Sequence, residues 1–365
     1  MKALRYHRFG GPVAVETVPD PRVPEDGAVI RVAASGLCRS DRHAWAGHDD
    51  TVSLPQIPGH EFVGRVEAVG ANVRNWSVGD RVTAPFVNGC GTCEWCKNGD
   101  AQVCPDQTQP GFTHQGSHAE LVAVRAADMN LVAVPPTVSD AAAASLGCRF
   151  ATAYRAVSAR GRVQAGEWVA VFGAGGVGLS AIMIAVALGA RPIAVDRSAE
   201  ALKLAAKAGA EHVLNVSDST VPEIVELTGG GAHVAVDAVG ASEVIGMSVR
   251  SLRRRGRHVQ IGLLAGPPPA IPMDRVLAWE LDVLGSHGMA ASDYPELLDL
   301  VEREVLRPAD LVTHTVGMDE AAHLLFAEDA ADRRSGITVL CPHPHPHPHP
   351  HPQGDQDGPM PSHQA

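Results

Sequence analysis

The chain has 365 residues, of which 45% are apolar, enough for about two domains with buried cores. Its 41 acidic residues outnumber the 30 basic ones and give a formal net charge of −11, which argues against a nucleic-acid partner outside a local basic patch. The start of the chain lacks the apolar core of a signal peptide, and the longest apolar helical run, residues 179–190, is too short to span a membrane. We therefore expect a cytoplasmic protein with no membrane or nucleic-acid partner.

Residues 1–150 are predicted to form a first domain made of short strands. Apolar runs at residues 28–32, 62–69 and 81–83 have the length and composition of strands. Turn-forming residues precede the first of these runs, namely Pro19, Pro21, Pro24 and Gly27. The pattern favours a compact β-barrel.

The segment between Cys38 and Glu61 carries the first candidate metal ligands. Cys38 offers a thiolate and His60 an imidazole, and zinc binds both ligand types. A catalytic zinc has three protein ligands and an open position, so a third ligand must come from elsewhere in the chain. Cys148, which follows Leu146 and Gly147, is the best candidate.

Four of the seven cysteines crowd into fifteen residues, inside a lobe that we delimit as residues 88–105. In a reducing compartment this clustering indicates a metal site rather than disulfides. Four thiolates leave no position for a substrate, which is typical of structural zinc. An iron–sulfur cluster is the alternative, but bacterial clusters place their last two cysteines closer together than the seven-residue gap seen here. The predicted zinc ligands are Cys90, Cys93, Cys96 and Cys104.

A different pattern defines a predicted dinucleotide-binding domain over residues 151–287. An apolar strand at residues 167–172 runs into a glycine-rich turn and then a helix at residues 179–188. Such a turn lets the backbone approach a pyrophosphate, which the helix N-terminus attracts. The next strand ends in Asp196, where an acid accepts hydrogen bonds from the adenosine ribose. The turn residues assigned to the coenzyme are Gly173, Gly175, Gly176, Val177 and Gly178.

Strands and helices alternate through the rest of this domain. Six strands with helical crossovers predict a doubly wound parallel sheet, so the fold class is α/β. We interpret the arginine run at residues 253–255 as a solvated helix end before a strand, and we expect residues 288–342 to return to the first domain through a helix at 294–304. After the first strand and helix, the predicted strands are 191–195, 212–214, 233–237, 257–261 and 281–284, and the predicted helices are 199–208, 221–227 and 244–252.

The last predicted segment is a disordered tail, residues 343–365, that begins with five His-Pro pairs. Proline at every second position prevents helices and sheet ladders. Histidine-rich tracts bind metal in some proteins, but we favour an incidental tail.

The motifs Cys-Arg-Ser-Asp-x-His, Gly-His-Glu and Leu-Gly-Cys resemble those of the zinc-dependent alcohol dehydrogenases of the medium-chain dehydrogenase/reductase family, over residues 1 to about 342. The resemblance implies a chaperonin-10-like β-barrel catalytic domain and a Rossmann coenzyme domain. It also implies NAD, one catalytic and one structural zinc, and an alcohol with its aldehyde or ketone as substrate and product. We expect a homodimer or homotetramer, between which the sequence does not decide.

The resemblance and the local chemistry together suggest how the reaction proceeds. Zinc eases deprotonation of the alcohol, as it does for bound water, and the hydride passes to the nicotinamide. Ser40 takes the proton first, and by resemblance it leaves through the nicotinamide ribose and His43. By resemblance too, Asp41 holds the second nitrogen of His60, while Glu61 approaches the zinc transiently or forms a simple salt bridge.

Further residues match family positions that contact coenzyme or substrate. Arg39 matches one that faces the pyrophosphate, with a surface cation as the alternative. Trp45 and Phe86 match pocket walls, which favours small or slender alcohols. Arg149 departs from the small residue often found there, so we expect an altered pocket. The nicotinamide end is matched by Ile261, Gly262, Leu263, Ser286 and His287.

Coenzyme preference is predicted from Asp196 and its neighbour Arg197. The carboxylate would repel the extra phosphate of NADP, so we expect NAD. The guanidinium of Arg197 could bind that phosphate, but we expect it to stack on the adenine.

Two alternatives remain open. One is a polyol or amino-alcohol dehydrogenase of the same family, although some of those replace the third cysteine ligand by glutamate, whereas this chain has Cys148. The other is a non-catalytic zinc-ribbon binding protein, against which the joint presence of Cys38, Ser40, Asp41 and His60 argues. Neither the alcohol nor the physiological direction follows from the sequence.

Overall fold

The computed structural model describes residues 1–264, 269–326 and 335–343. The predicted His-Pro tail therefore lies outside the described residues, apart from His343. Within these ranges no helix combines the length and the apolar character that crossing a membrane requires.

The described residues form fifteen strands, mostly short. In chain order they are β1 (Lys2–Arg5), β2 (Ala14–Thr17), β3 (Ala28–Leu37), β4 (Phe62–Val69), β5 (Arg81–Thr83), β6 (Leu121–Val124), β7 (Val132–Ala133), β8 (Trp168–Phe172), β9 (Arg191–Asp196), β10 (His212–Asn215), β11 (Ala232–Asp237), β12 (Leu252–Gln260), β13 (Asp282–Gly285), β14 (Val312–Val316) and β15 (Ile337–Leu340).

Twelve α-helices lie in the same ranges. They are α1 (Arg39–Trp45), α2 (Glu94–Lys97), α3 (Ala127–Asn130), α4 (Asp140–Ala144), α5 (Ala151–Arg155), α6 (Gly176–Ala187), α7 (Ala199–Lys207), α8 (Thr220–Thr228), α9 (Ser242–Arg250), α10 (Met273–Trp279), α11 (Tyr294–Glu302) and α12 (Met318–Phe326). Two π-helical turns, Leu146–Phe150 and Ala156–Arg160, flank α5.

The first sheet is built around β3, which pairs with β4, β6 and β15. Its order is β14-β15-β3-β4-β5-β7, with β6 on β3, and all pairs except β14–β15 are antiparallel. Apolar residues such as Ile30, Val32, Phe62 and Val82 pack together in one core cluster. The predicted strand at residues 28–32 is confirmed but continues to Leu37, so it delivers the next residue, Cys38, from a rigid element.

The second sheet has six parallel strands in the order β10-β9-β8-β11-β12-β13, as predicted for a doubly wound fold. Every residue of β8 is buried, which explains why this strand has no polar alternation. The glycine turn after β8 and Asp196 at the end of β9 lie at the carboxyl edge, where ligands bind such sheets.

The prediction for the arginine run was wrong. Residues 253–255 belong to β12, and α9 ends at Arg250 rather than continuing to residue 252. The guanidinium of Arg254 lies over the ring of Trp279, while Arg255 forms an ion pair with Glu280. The charges are therefore accommodated on a strand, and not by a helix end.

The chain returns to the first sheet after β13. Strand β15 pairs antiparallel with β3, and Thr338 stands opposite Leu37 in the register. Strand β14 lies beyond β15 and pairs with it in parallel. The last described strand thus braces the end of β3 next to Cys38.

Candidate active site

Three potential zinc ligands from distant parts of the sequence lie close together in the structure. The ligand atoms of Cys38, His60 and Cys148 lie within 4.8 Å of one another. Cys38 follows β3, His60 precedes β4, and Cys148 lies in the π-helical turn Leu146–Phe150. Two sulfurs and one imidazole at this separation form a donor set for a single zinc ion with a fourth position open.

The ring of His60 is oriented by a carboxylate and two aromatic rings. Its Nδ1 lies 2.9 Å from Oδ1 of Asp41, so we assign the proton to Nδ1. Phe86 and Phe112 pack edge-on against the ring at centroid distances of 5.9 and 5.4 Å. The other nitrogen, Nε2, is buried and has no hydrogen-bond partner, as expected of an atom that binds a metal.

Asp41 contacts a second imidazole that sequence reasoning missed. Nε2 of His118 lies 3.4 Å from Oδ2 of Asp41, and its Nδ1 is 2.9 Å from the hydroxyl of Ser35. Burial alone would raise the pKa of Asp41, but His60 and His118 hold it well below its usual range. The carboxylate therefore stays ionised and fixes His60. The only sequence signal was an isolated histidine between two strands.

A glycine next to His60 makes this arrangement compact. Gly59 has φ +103°, and its N–H donates to Oδ1 of Asp41 at 3.0 Å. A Cβ at Gly59 would lie 2.5 Å from the backbone nitrogen of His118. Only glycine fits this backbone conformation and this close approach.

Cys148 is held by hydrogen bonds to the turn that precedes it. The hydroxyl of the fully buried Tyr294 donates to the carbonyl of Leu146 at 3.1 Å. The N–H of Phe86 donates to the carbonyl of Gly147 at 2.9 Å. Phe86 thus packs on His60 and also fixes the turn that carries Cys148.

The two thiols are electrostatically coupled. The hydrogen bond from Cys148 lowers the pKa of Cys38 well below its ordinary value, against the effect of burial. Conversely, that bond, burial and the charge on Cys38 raise the pKa of Cys148. The opposite shifts favour ionisation of Cys38 before Cys148, and a divalent ion would stabilise both thiolates.

Glu61 contacts Arg149 and is buried with it. Its oxygens accept hydrogen bonds from the backbone N–H, Nε and Nη2 of Arg149. Burial raises the pKa of Glu61, and the guanidinium offsets only part of this effect. The structure thus contains the salt bridge that the sequence left as one of two alternatives for Glu61.

The short helix α1 carries the predicted proton-transfer residues. Ser40 Oγ lies 3.6 Å from Sγ of Cys38, and Ser40 and His43 are three residues apart on one helix face. Burial and the neighbouring His48 lower the pKa of His43. Arg39 is exposed at the helix start. Trp45 donates through Nε1 to the carbonyl of Gly11 and belongs to the same buried cluster as Tyr6.

The glycine turn leaves room for a ligand at one position. A Cβ added to Gly175 would have no atom within 4 Å, whereas one at Gly178 would lie 1.7 Å from the carbonyl oxygen of Gly173. Gly175 therefore borders open space at the start of α6, and Gly178 is required for the close packing of the turn. Val177, next to Gly176, packs against the main core. These features fit a pyrophosphate at the helix N-terminus.

Asp196 lies against this turn. Its Oδ2 accepts a hydrogen bond from the N–H of Ala174 at 2.7 Å, and Oδ1 accepts one from Ser198 at 2.8 Å. Arg197 is exposed beside it. The carboxylate is therefore fixed at the edge where the adenosine end of a dinucleotide would lie.

The predicted nicotinamide contacts lie in two groups. Ile261 and Gly262 both donate to the carbonyl of Asp237, and Leu263 next to them is half exposed. His287 packs edge-on against Phe86 at 5.1 Å, and Ser286 is buried beside it. Phe86 thus lies between His60 and His287, which links the cysteine site to the end of the parallel sheet.

A second cysteine cluster lies in the lobe. The sulfurs of Cys90, Cys93, Cys96 and Cys104 lie within 4.8 Å of one another, and those of Cys93 and Cys104 are 3.7 Å apart. A tetrahedral zinc with bonds of about 2.3 Å separates its sulfurs by about 3.8 Å, whereas a cluster of several irons spreads them further. The donor set therefore fits one zinc ion.

The base of the lobe is fixed by backbone hydrogen bonds. Asn88 and Thr108 exchange two of them, at 2.8 and 2.9 Å, and the side chain of Asn130 binds Gly89 on both sides. The backbone N–H groups of Cys93 and Cys96 point at sulfurs of the cluster at 3.4 Å.

Comparison with known proteins shows which enzymes this chain resembles over most of its length. Residues 24–136 match the family described as "Alcohol dehydrogenase GroES-like domain", and residues 176–303 match "Zinc-binding dehydrogenase". An alcohol dehydrogenase from Geobacillus stearothermophilus is 36% identical over 277 residues, 75% of this chain and 80% of that protein. In structure, the alcohol dehydrogenase TADH from Thermus sp. ATN1 superposes with a TM-score of 0.85 at 32% identity, over 93% of this chain and 99% of that one. The alcohol dehydrogenase of Aeropyrum pernix gives 0.85 at 30% identity, over 94% and 100%.

Proposed function

This chain belongs to the zinc-dependent alcohol dehydrogenases of the medium-chain family, and we propose that it transfers hydride between a small alcohol and NAD beside a zinc ion held by Cys38, His60 and Cys148. The observation that carries the proposal is the convergence of these ligand atoms within 4.8 Å, with Nε2 of His60 buried and without a partner. The glycine turn before α6 supplies the coenzyme site in the same molecule.

When bound, zinc acts as a Lewis acid toward the alcohol oxygen, and NAD accepts the hydride. The protein orients the reacting groups and excludes water. Phe86, which lies against His60 and His287, walls the site on one side and favours small or slender alcohols. The burial of Cys38 and His60 keeps the reacting centre dry, which strengthens its electrostatic interactions.

The released proton needs a path out of this dry site. We propose that the hydroxyl of Ser40 takes it first, since Ser40 Oγ lies 3.6 Å from Cys38 Sγ and borders the ligand set. His43 is on the same face of α1 and, like Ser40, is only partly buried, so in our proposal its imidazole receives the proton on the way to solvent. The lowered pKa of His43 keeps the ring neutral, and able to accept a proton, at pH 7.

Asp196 supports a preference for NAD. Its carboxylate is fixed by the N–H groups of Ala174 and Ser198 at the coenzyme edge, where it would accept hydrogen bonds from ribose hydroxyls and repel a phosphate. Arg197 is exposed and in our proposal stacks on the adenine.

The four-cysteine lobe is proposed to hold a second, structural zinc. Its ligands come from one short segment, and no ligand position remains for a substrate. Unpaired thiolates persist in a reducing compartment, so we place the enzyme in the cytoplasm. We expect a homodimer or homotetramer, which sedimentation would distinguish.

Metal analysis and an alcohol panel test this function together. A chain ending at Pro342, which lacks the His-Pro tail, should contain two zinc ions, and it should reduce NAD with at least one primary or secondary alcohol. One zinc per chain, or iron with visible colour, would overturn the metal assignment. Two zinc ions without turnover of any alcohol or carbonyl in the panel would instead overturn the activity.

A further inference from the structure

A single arginine, itself next to one ligand in sequence, contacts the sequence neighbours of the other two. Arg149 directly follows Cys148, and its Nη1 donates to the carbonyl of Leu37, which precedes Cys38, at 3.0 Å. Its Nε donates to the Glu61 carboxylate, which follows His60, at 2.8 Å, and its Nη2 donates to the same oxygen. Three segments far apart in sequence are therefore joined at one side chain.

Stability alone does not explain this buried ion pair. Arg149 is 5% exposed and Glu61 fully buried, so both charges are removed from water. Replacing such a pair by uncharged residues of similar volume is often neutral or stabilising, because desolvation offsets the attraction. What the pair supplies here is geometry, since a guanidinium has rigidly oriented donors.

The contacts also restrain the Glu61 carboxylate. Both of its oxygens accept hydrogen bonds from Arg149, including one from the backbone N–H at 2.7 Å. Moving the carboxylate away from Arg149 would break these hydrogen bonds, so they oppose such a movement.

The stem of Arg149 extends toward the coenzyme turn. A Cβ added to Gly176 would lie 2.8 Å from Cδ of Arg149 and 3.4 Å from its Nη1. Gly176 begins α6, so the arginine packs directly on the start of the helix that faces the coenzyme.

We propose that Arg149 is a positioning residue that clamps the three ligand segments together and holds the Glu61 carboxylate away from the metal. The inference rests on the proposed function, because it presumes a zinc ion at Cys38, His60 and Cys148. It gives Glu61 the role of an anchor for Arg149.

The test compares Arg149→Met with a double variant, Arg149→Met/Glu61→Gln, that removes both buried charges. Arg257→Met is the matched control, because Arg257 is also largely buried and pairs with Glu167 far from either cysteine cluster in sequence. One readout is zinc release to a colorimetric chelator, in which the four-cysteine zinc serves as an internal reference. The other is the visible spectrum after cobalt(II) replaces the zinc beside His60.

In Arg149→Met one of the two zinc ions should leave on the order of 10- to 100-fold faster, the range typical of losing a group that orients metal ligands. The second ion should leave at the parental rate. The cobalt spectrum should weaken, because the freed carboxylate adds a ligand to a tetrahedral ion. In the double variant release should stay fast while the spectrum returns to the parental form, since no carboxylate is available.

Parental release rates and spectra in Arg149→Met would overturn the inference. If that single variant does not fold, the double variant decides, and parental zinc release from it has the same meaning. If Arg257→Met released zinc as fast as Arg149→Met, general destabilisation would explain both results, and the inference would also be overturned. A parent enzyme with one zinc only would instead contradict the proposed function itself.

Discussion

The two cysteine clusters use similar donor atoms in opposite settings. In the lobe, four sulfurs come from fifteen consecutive residues, and Cys90 and Cys93 are partly exposed. In the active site, ligands come from positions 38, 60 and 148, and buried polar and charged side chains lie near them, namely Asp41, Glu61, His118 and Arg149. A local loop suffices where the ion has only to hold the chain. Reactivity instead requires an open position, controlled protonation and ligands fixed by several elements.

The largest effect is expected at the lobe, because structural zinc contributes folding free energy of about 10 kcal/mol in small domains. Cys93→Ser should remove this zinc and cause aggregation or a large fall in melting temperature. Cys341→Ser, at a cysteine outside both clusters, is the control. A Cys93→Ser enzyme with the parental melting temperature would mean that the lobe is not held by a metal.

Cys38→Ser should separate the two sites. Loss of this ligand should lower turnover by about 1000-fold or more, since Lewis-acid stabilisation amounts to several kcal/mol. The melting temperature should change much less than in Cys93→Ser, and one zinc ion should remain. Steady-state kinetics, calorimetry and metal analysis check the three expectations. If this variant lost both zinc ions, the two clusters could not be treated as independent.

Ser40→Ala tests whether the proton released from the alcohol leaves the active site through the hydroxyl of Ser40. We expect a fall in kcat of about 100-fold or more, the usual contribution of a positioned proton acceptor. NAD affinity, measured by fluorescence, should stay within about twofold, because the coenzyme turn is not touched. Parental kcat in this variant would show that the proton leaves by another route.

Asp196→Ala tests the coenzyme edge, which belongs to neither cluster. The parent should prefer NAD over NADP by about 100-fold, the equivalent of roughly 2.8 kcal/mol. The preference for NAD should be smaller in the variant, because Arg197 could then bind the extra phosphate of NADP. The ratio of kcat/KM values for the two coenzymes is the measurement. Equal use of NAD and NADP by the parent would place the discriminating group elsewhere.

The smallest effect is expected at His43, the surface end of the path, where water can substitute. Alcohol oxidation needs the neutral ring as proton acceptor, so kcat should rise with pH through the pKa of His43. Burial and His48 lower this pKa, so the inflection of the kcat profile should lie below about pH 6.5. The parent enzyme should therefore be on the plateau of the profile at pH 7. His43→Ala should lose this inflection and about tenfold in kcat at most. An unchanged pH profile would remove His43 from the path.

Short-range patterns were sufficient to predict the lobe and the parallel sheet. The cysteine spacing predicted the lobe, and the apolar strand β8 followed by glycines predicted the coenzyme turn. Both features are formed by residues that are close together in sequence. Ligand chemistry suggested Cys148 as the partner of Cys38 and His60, and the resemblance to a known family supported this choice.

Contacts across long sequence separations could not be predicted. The His118–Asp41 contact spans 77 positions and that between Arg149 and Glu61 spans 88, so no periodicity reveals either pair. The prediction for the arginine run at residues 253–255 was wrong for a related reason. Its charges were taken for a helix end, but Trp279 and Glu280 from a later element accommodate them on β12.

The pairing of β15 with β3 has a consequence during biosynthesis. On a ribosome the lobe can bind zinc once Cys104 has emerged, whereas the active-site ligands need Cys148 and the bracing of Leu37 by Thr338 near the end of the chain. Local loops close early, and long-range contacts form late. A prematurely terminated chain would therefore bind one zinc ion in its lobe and still lack an ordered catalytic site. The last described strand, β15, thereby couples an ordered active site to the synthesis of a segment about 190 residues after Cys148.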